Sequence, residues 1–369
     1  MTSVILTSMS LSIGIVGLPN VGKSTLFNAL TDSDILAANY PFATIEPNTG
    51  IVPVPDERLR VLQTMYSAEK VIPATVTFVD IAGLVAGASK GEGLGNQFLA
   101  NIRTCDAIVH VVRAFENGDI LRHDDSAVSP KADIDIINLE LCLADLQSID
   151  KRLPKLAKES KANPAARETA SYLESLKRHL EADTPLSALP SLDRDAIADL
   201  QLLTAKPVIY AFNIGENDLK DNDKIAQLQA LVTPAPVVFI SAKLEEELRG
   251  MSKADTKEFL AEYNFTEVGL ERLIHAAYQT LGLQSYLTAG PKEVRAWTIH
   301  QGDTAPQAAG VIHGDFERGF IAASIVSYPD LIAAGSEAAA KAAGKLRTEG
   351  RDYVMQPDDI VEFRFNVSK

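Results

Sequence analysis

The stretch Gly17-Leu-Pro-Asn-Val-Gly22-Lys23-Ser24-Thr25 fits the pattern G-x-x-x-x-G-K-[ST], and it leaves a chain few folds to choose from. Ahead of it lies Ser12-Ile-Gly-Ile-Val, a short apolar run suited to a buried strand; behind it lies Leu26-Phe-Asn-Ala-Leu30, suited to a helix. Strand, glycine loop and helix in that order are the context that the pattern requires. Glycines let consecutive backbone N–H groups wrap a chain of phosphates, and the helix N-terminus favours the anion. Asn20, Val21, Gly22, Lys23, Ser24 and Thr25 are therefore the expected phosphate-side contacts, with Lys23 as a point charge near the outer phosphates and Ser24 offering its hydroxyl to Mg²⁺.

At 369 residues the chain is too long for one typical domain. Residues 10–130 alternate strand-like with helix-like runs, as in an α/β domain with a mostly parallel sheet. Strands are expected at 13–16, 49–54, 76–81 and 107–112, the last two apolar enough to be covered on both faces. From about Asp133 the period changes: Leu139, Leu143, Leu146, Ile149, Leu153 and Leu156 recur at helical spacing, with Pro154 expected to kink the helix. Asn163-Pro164 marks a turn, and Leu173, Leu176 and Leu180 resume the spacing on a return helix, which reads as an inserted antiparallel hairpin. Apolar runs at 207–213 and 236–241 then resume the sheet, and a polar, acidic stretch leads to a helix ending near Gly282. Beyond it, strands at 292–301 and 359–366 flank helices at 305–312 and 331–343, a separate small α+β module.

The formal net charge of -14 argues against coating nucleic acid with the whole surface. The hairpin is the local exception, carrying Lys151, Arg152, Lys155, Lys158, Lys161, Arg167, Lys177 and Arg178 against Glu159, Glu168 and Glu174. Such a face is commonly just solvated, and it is also the surface that would meet RNA phosphates. No apolar run approaches the ~20 residues of a membrane span, so no membrane partner is expected. Met9, just ahead of the first strand, is a candidate initiator, and Cys105 and Cys142 form neither metal-ligand spacing nor a disulfide framework. Together these features point to a cytoplasmic, reduced protein.

Around the loop the expected site assembles from strand ends. Asp80-Ile-Ala-Gly83 closes the third strand, where Asp80 can hold a Mg²⁺-bound water and Gly83 can give its N–H to the terminal phosphate. Thr44 lies in a proline-punctuated loop where a switch supplies a second hydroxyl to Mg²⁺. Glycines at 87, 91, 93 and 95 suit a second, mobile switch. Asn213-Ile-Gly-Glu216 occupies the base-recognition position, where guanine-reading switches carry Asn-Lys-x-Asp. With Ile214 for the lysine and Glu216 for the aspartate, the bidentate contact to guanine is absent or displaced, which favours ATP over GTP. Ser241-Ala-Lys243, which resembles the segment supporting guanine in GTPases, pulls the other way. Leu84 stands where a glutamine would orient the attacking water, so hydrolysis needs another group, a partner or K⁺. Asn20 is the candidate K⁺ ligand and His123 the candidate water-orienting group, whereas Arg103 and Arg113 read as structural.

Residues 17–25, 39–50, 80–99, 213–216 and 286–326 resemble the YchF/Obg-like ATPase family, over nearly the whole chain from Met9. The resemblance implies a P-loop domain at 9–135 and 203–282, a helical coiled-coil insertion at 136–202 and a ubiquitin-like β-grasp module of the TGS type at 283–366. It also implies ATP, Mg²⁺, slow intrinsic hydrolysis with Leu84 at the glutamine position, and association with the ribosome, its large subunit or the whole particle, with ribosomal RNA as a further candidate partner. Two alternatives stay open: a GTPase of the same fold, and a nucleotide-gated ribosome- or RNA-binding module with negligible turnover.

Overall fold

The most apolar segments of the chain lie in the middle of a sheet covered on both sides. In the computed structural model, which describes residues 11–31, 48–81, 94–116, 128–248, 251–263, 265 and 267–366, the first six-stranded sheet has the order β2-β4-β1-β5-β6-β7. Its strands are β1 (Ser12–Val16), β2 (Thr49–Pro53), β4 (Thr75–Asp80), β5 (Ala107–Arg113), β6 (Val208–Asn213) and β7 (Val237–Ile240). All neighbours are parallel except the edge strand β2, which pairs antiparallel with β4. Every residue of β5 is buried, as suits a strand of apolar residues interrupted only by His110 before its final Arg113. The helix Leu94–Thr104 covers the sheet with Phe98, Leu99 and Ile102, and the helix Gly269–Thr280 with Leu273, Ile274 and Ala277.

The insertion leaves β5 through the helix Pro130–Glu159 and returns through Pro164–Glu181. Each helix begins the same way: Ser129 or Asn163 caps the first turn with its side chain, and a proline follows where the helix needs no N–H. The helix runs on through Pro154. Two expectations about the seam need correcting. Leu139 is exposed and Leu143 only half-buried; the first third of the helix buries Ile134, Ile137 and Leu141 instead. The reason is that one helix serves two cores. Ile137 and Leu141 join the core of the sheet, whereas Ile149 and Leu156 meet Leu173, Leu176 and Leu180 in the hairpin's own core.

The return to the sheet is fixed by a buried carboxylate. Asp145 accepts the N–H groups of Leu203 and Thr204, each at 2.8 Å, and the Thr204 hydroxyl at 2.7 Å. Beside it Arg103 donates to the carbonyls of Leu200 and Gln201 and to Ser148, the structural role its sequence suggested.

The second six-stranded sheet has the order β11-β10-β12-β8-β9-β3, built from β8 (Leu283–Ala289), β9 (Glu293–His300), β10 (Phe320–Ser327), β11 (Arg347–Glu349) and β12 (Asp359–Phe365). The helix Ala305–Ile312 lies against it, with Tyr286 donating its hydroxyl to the Ala308 carbonyl at 2.9 Å, a β-grasp arrangement. Its last member is β3 (Lys70–Ile72), which arrives from the nucleotide-side part of the chain and pairs parallel with β9. Arg58 reinforces that joint by bridging Asp56 at 2.8 Å and Asp358 at 2.9 Å. The alanine-rich run expected as one helix is two, Tyr328–Ala334 and Glu337–Ala342, broken where Gly335 takes φ 76° and Ser336 caps the next turn. β8 and β10 have no counterpart in the sequence reading.

The Asp145→Ala variant strands two buried N–H groups and is expected to lose about 2–4 kcal/mol of stability. Leu139→Ala is expected to change it by less than about 0.5 kcal/mol. Urea unfolding of both variants checks the pair.

Candidate nucleotide site

The glycine loop is shaped by what surrounds it. A Cβ on Gly17 would sit 2.5 Å from the Val111 carbonyl of β5. Gly22 has φ +98°, and a Cβ there would sit 2.5 Å from the Asn213 side chain. A larger residue at 17 would press on the sheet backbone, and one at 22 would be strained by its positive φ and displace the Asn213 amide. The helix Lys23–Thr31 starts directly behind, with Leu26 N–H bonded to the Gly22 carbonyl at 2.9 Å and no acidic residue in its first turn to compete for the dipole. Ser24 and Thr25 are exposed at this N-terminus, Val21 is buried, and Asn20 is exposed in the left-handed region at φ 61°. Lys23 is buried and donates its ammonium to the Leu18 carbonyl at 3.0 Å.

Asp80 ends β4 opposite Ile15 of β1, one strand over from the loop. Its Oδ1 is buried with no hydrogen-bond partner among the described residues. Burial pushes the Asp80 carboxyl upward, opposed by the charge of Lys23, and burial pulls the Lys23 ammonium downward, opposed by Asp80. The two attract without a direct ion pair. A buried carboxylate oxygen lacking a donor fits an acceptor for water held by a divalent cation, and Ser24 at the start of the helix that follows the loop has an exposed hydroxyl. Among the described residues no group of three or more His, Cys, Asp or Glu could hold a metal.

On the base side, Asn213 ends β6 and its side chain clasps two other segments. Its Nδ2 donates to the Val21 carbonyl at 3.1 Å, and its Oδ1 accepts from Ala242 N–H at 3.3 Å. Ile214 is buried and bonds through its N–H to the Ile240 carbonyl of β7 at 2.9 Å. Ser241 is buried and accepts the Leu244 N–H at 3.5 Å, which starts the helix Ala242–Leu248. Lys243 points outward, 3.8 Å from Glu247. Glu216 opens the short turn Asn217–Lys220, and its Oε1 accepts the Tyr263 hydroxyl at 2.9 Å. The structure thus brings Gly22, Lys23, Asp80, Asn213, Ser241 and Glu216 to the same ends of the parallel strands, where such sheets bind ligands. Thr44, Gly83, Leu84 and His123 lie outside the described residues.

Two nearby residues escaped the sequence reading. His110 sits opposite Val16 in the β1–β5 ladder, fully buried against the Tyr210 ring at 5.3 Å. A histidine inside an otherwise unbroken apolar strand was the signal that could have found it. Tyr263 lies in the acidic stretch after β7, and nothing local points it at Glu216.

A sequence profile described as 50S ribosome-binding GTPase matches residues 12–162, and one described as YchF-GTPase_C, a protein of unknown function, matches 283–366. A Pasteurella multocida protein named ribosome-binding ATPase YchF is 50% identical over 365 residues, spanning 97% of this chain and all of that protein. The chain belongs to the YchF family. The Bacillus subtilis YchF, of the same name, is 47% identical over 367 residues. The solved Schizosaccharomyces pombe YchF, described as a GTPase, superposes with a TM-score of 0.84 at 40% identity, covering 96% of this chain and 98% of that one. YchF relatives are thus described by both nucleotides, and the base-side residues bear on that choice.

His110 makes a pH prediction. Burial, with the charge of Lys23 adding, pushes its imidazole down to about 3. Below pH 6.5 the unfolded chain takes up a proton that the native state refuses, so this residue's support is full above that pH and declines towards pH 3, by roughly 1.4 kcal/mol per unit. Urea unfolding at pH 6, 5 and 4 is expected to show that His110→Leu removes this part of the slope.

Proposed function

We propose that this chain is an ATP-hydrolysing switch that uses Mg²⁺, turns over slowly alone and associates with ribosomes in a nucleotide-dependent way in the cytoplasm. The observation that carries the choice of nucleotide is the base-side corner. Asn213 ties β6 to the phosphate loop, yet the residues that follow it are a buried Ile214 and a Glu216 already engaged by Tyr263. An aspartate offering both oxygens to guanine has no equivalent here, and Ser241 supports the loop through its own helix start. Lys243, the third residue of the Ser241-Ala-Lys243 segment, is exposed and lies 3.8 Å from Glu247, so its side chain adds no support to a guanine reading.

Lys23 neutralises the outer phosphates, exchanging its bond to Leu18 for one to the anion; Asp80 accepts from the water nearest it; Ser24 lends its hydroxyl. Mg²⁺, when bound, supplies charge neutralisation on the phosphates. Thr44 as a second hydroxyl, Gly83 as an N–H donor, His123 as water-orienting group and Asn20 as K⁺ ligand complete the reading from their sequence positions, and comparing turnover in K⁺ and Na⁺ tests the last. We read 9–135 with 203–282 as the nucleotide unit, 136–202 as the insertion and 283–366 as the TGS module.

Titration with both triphosphates is expected to give ATP a dissociation constant at least about tenfold below that of GTP. A preference for GTP would overturn the reading. Asp80→Asn is expected to lower Mg²⁺-dependent turnover about a hundredfold while leaving the fold intact, read by single-turnover kinetics and melting.

The hairpin is the proposed ribosome-facing surface, with RNA phosphates as its contact. Lys177 is taken up by Asp150 at 2.6 Å and Arg152 by Glu159 and Asp199, each at 3.4 Å. Lys151, Lys155 and Lys158 are exposed, without an ion pair among the described residues, and share one face at helical spacing. Reversing all three to Glu is expected to weaken cosedimentation with ribosomes and flatten its salt dependence. Unchanged cosedimentation would remove the hairpin from the interface.

A further inference from the structure

We propose that Tyr263 is a positioning residue for base selection: by holding one oxygen of the Glu216 carboxylate it leaves a single free acceptor edge, which suits the exocyclic amino group of adenine and fails the paired donors of guanine. The inference rests on the adenine reading above and assigns it a mechanism.

A carboxylate reads guanine by laying both oxygens edge-on against N1–H and the 2-amino group, so it must rotate freely into the plane of the base. Here Oε1 of Glu216 accepts the Tyr263 hydroxyl at 2.9 Å. The bond to Glu216 is the main reason the Tyr263 hydroxyl titrates above its ordinary range, with burial and the charges of Glu216, Glu262 and Glu247 adding, so it stays protonated and donates. Adenine asks for less. Its 6-amino group needs one acceptor, and its N1 is itself an acceptor that a second carboxylate oxygen would repel. Covering Oε1 with a donor removes that repulsion and fixes the plane of the other oxygen.

The anchor is itself held. The Lys220 ammonium lies 4.1 Å from the Tyr263 ring centroid and the Phe259 ring lies 5.2 Å away, so the phenol is gripped on two sides. Glu216 is equally constrained, because the turn that follows it is tied by Asp218, which accepts Gly215 N–H at 3.2 Å and the Lys224 ammonium at 2.8 Å. Two segments 47 residues apart thus meet at one carboxylate oxygen.

The test is the ratio of ATP to GTP affinity, measured by competition against a fluorescent nucleotide, in wild type, Tyr263→Phe, Glu216→Ala and the double variant. Tyr263→Phe is expected to lower the ratio by about tenfold, the worth of one hydrogen bond to a charged group, chiefly by admitting GTP. In the Glu216→Ala background the same change is expected to leave the ratio where it is. Lys220→Met, which loosens the ring without touching the hydroxyl, is expected to move the ratio in the same direction by less and covers the case of a poorly folded Tyr263→Phe. A merely structural tyrosine would lower both affinities together. Wild type preferring ATP with the ratio unchanged in Tyr263→Phe and Lys220→Met would overturn this role alone. Wild type preferring GTP would overturn the adenine reading and this inference with it.

Discussion

The side chain of Asn213 is the tie on which the site depends. It reaches from the end of β6 to the Val21 carbonyl of the phosphate loop and accepts from Ala242 N–H after β7. Three loops on three strands are thereby held by one amide, and each partner is a backbone atom, so no other side chain can drift and release it. A larger residue at position 22 would be strained by its φ of +98° and would also push this amide aside, since a Cβ there would fall 2.5 Å from its nitrogen. The phosphate loop and the loops after β6 and β7 are thus tied together through one side chain.

Around that unit, burial does the electrostatic work. Lys23 and Asp80 are each drawn away from their usual titration by desolvation and partly restored by one another, and His110 is kept neutral beneath them. A buried ammonium bonded, among the described residues, only to a carbonyl, and a carboxylate oxygen with no partner among them, are poor arrangements for stability. They are good ones for receiving a charged ligand, since phosphate and cation arrive with the groups that each lacks and little must be reorganised.

Much of this was legible in the sequence because the signals were local. The loop spacing, the mostly apolar β5 and the Asn213 corner can each be read in a window of a few residues, and the strands that were expected came out within a residue or two, though β8 and β10 were missed. The misses share a cause. Leu139 has the right spacing for the hairpin seam, but Ile137 and Leu141 turn the first third of that helix towards the sheet, and only the third dimension shows which core wins. β3 is three residues long and takes its meaning from β9, more than two hundred residues away. Gly335 breaks an alanine-rich helix by adopting φ 76°, where composition alone reads continuity. Asp145 and Tyr263 act on partners 58 and 47 residues distant, so neither could be read from a window.

The joint between the two sheets gives these distant pairings a common consequence. β3 leaves the nucleotide-side part of the chain to complete the second sheet, and it is followed within a few residues by β4, which ends at Asp80. Arg58, on the helix that precedes β3, bonds to Asp56 and to Asp358 just ahead of β12, a second tie between the same two parts of the chain. The strand that ends at Asp80 is therefore continuous with the one that pairs with the second sheet, with only the turn at Pro73 and Ala74 between them. A shift of Asp80 along β4 would have to be absorbed in that turn or passed to β3 and the second sheet. Because β3 is held by paired backbone rather than by surface side chains, the connection is stiff, and a change at the phosphate end has a covalent, hydrogen-bonded route to the far module.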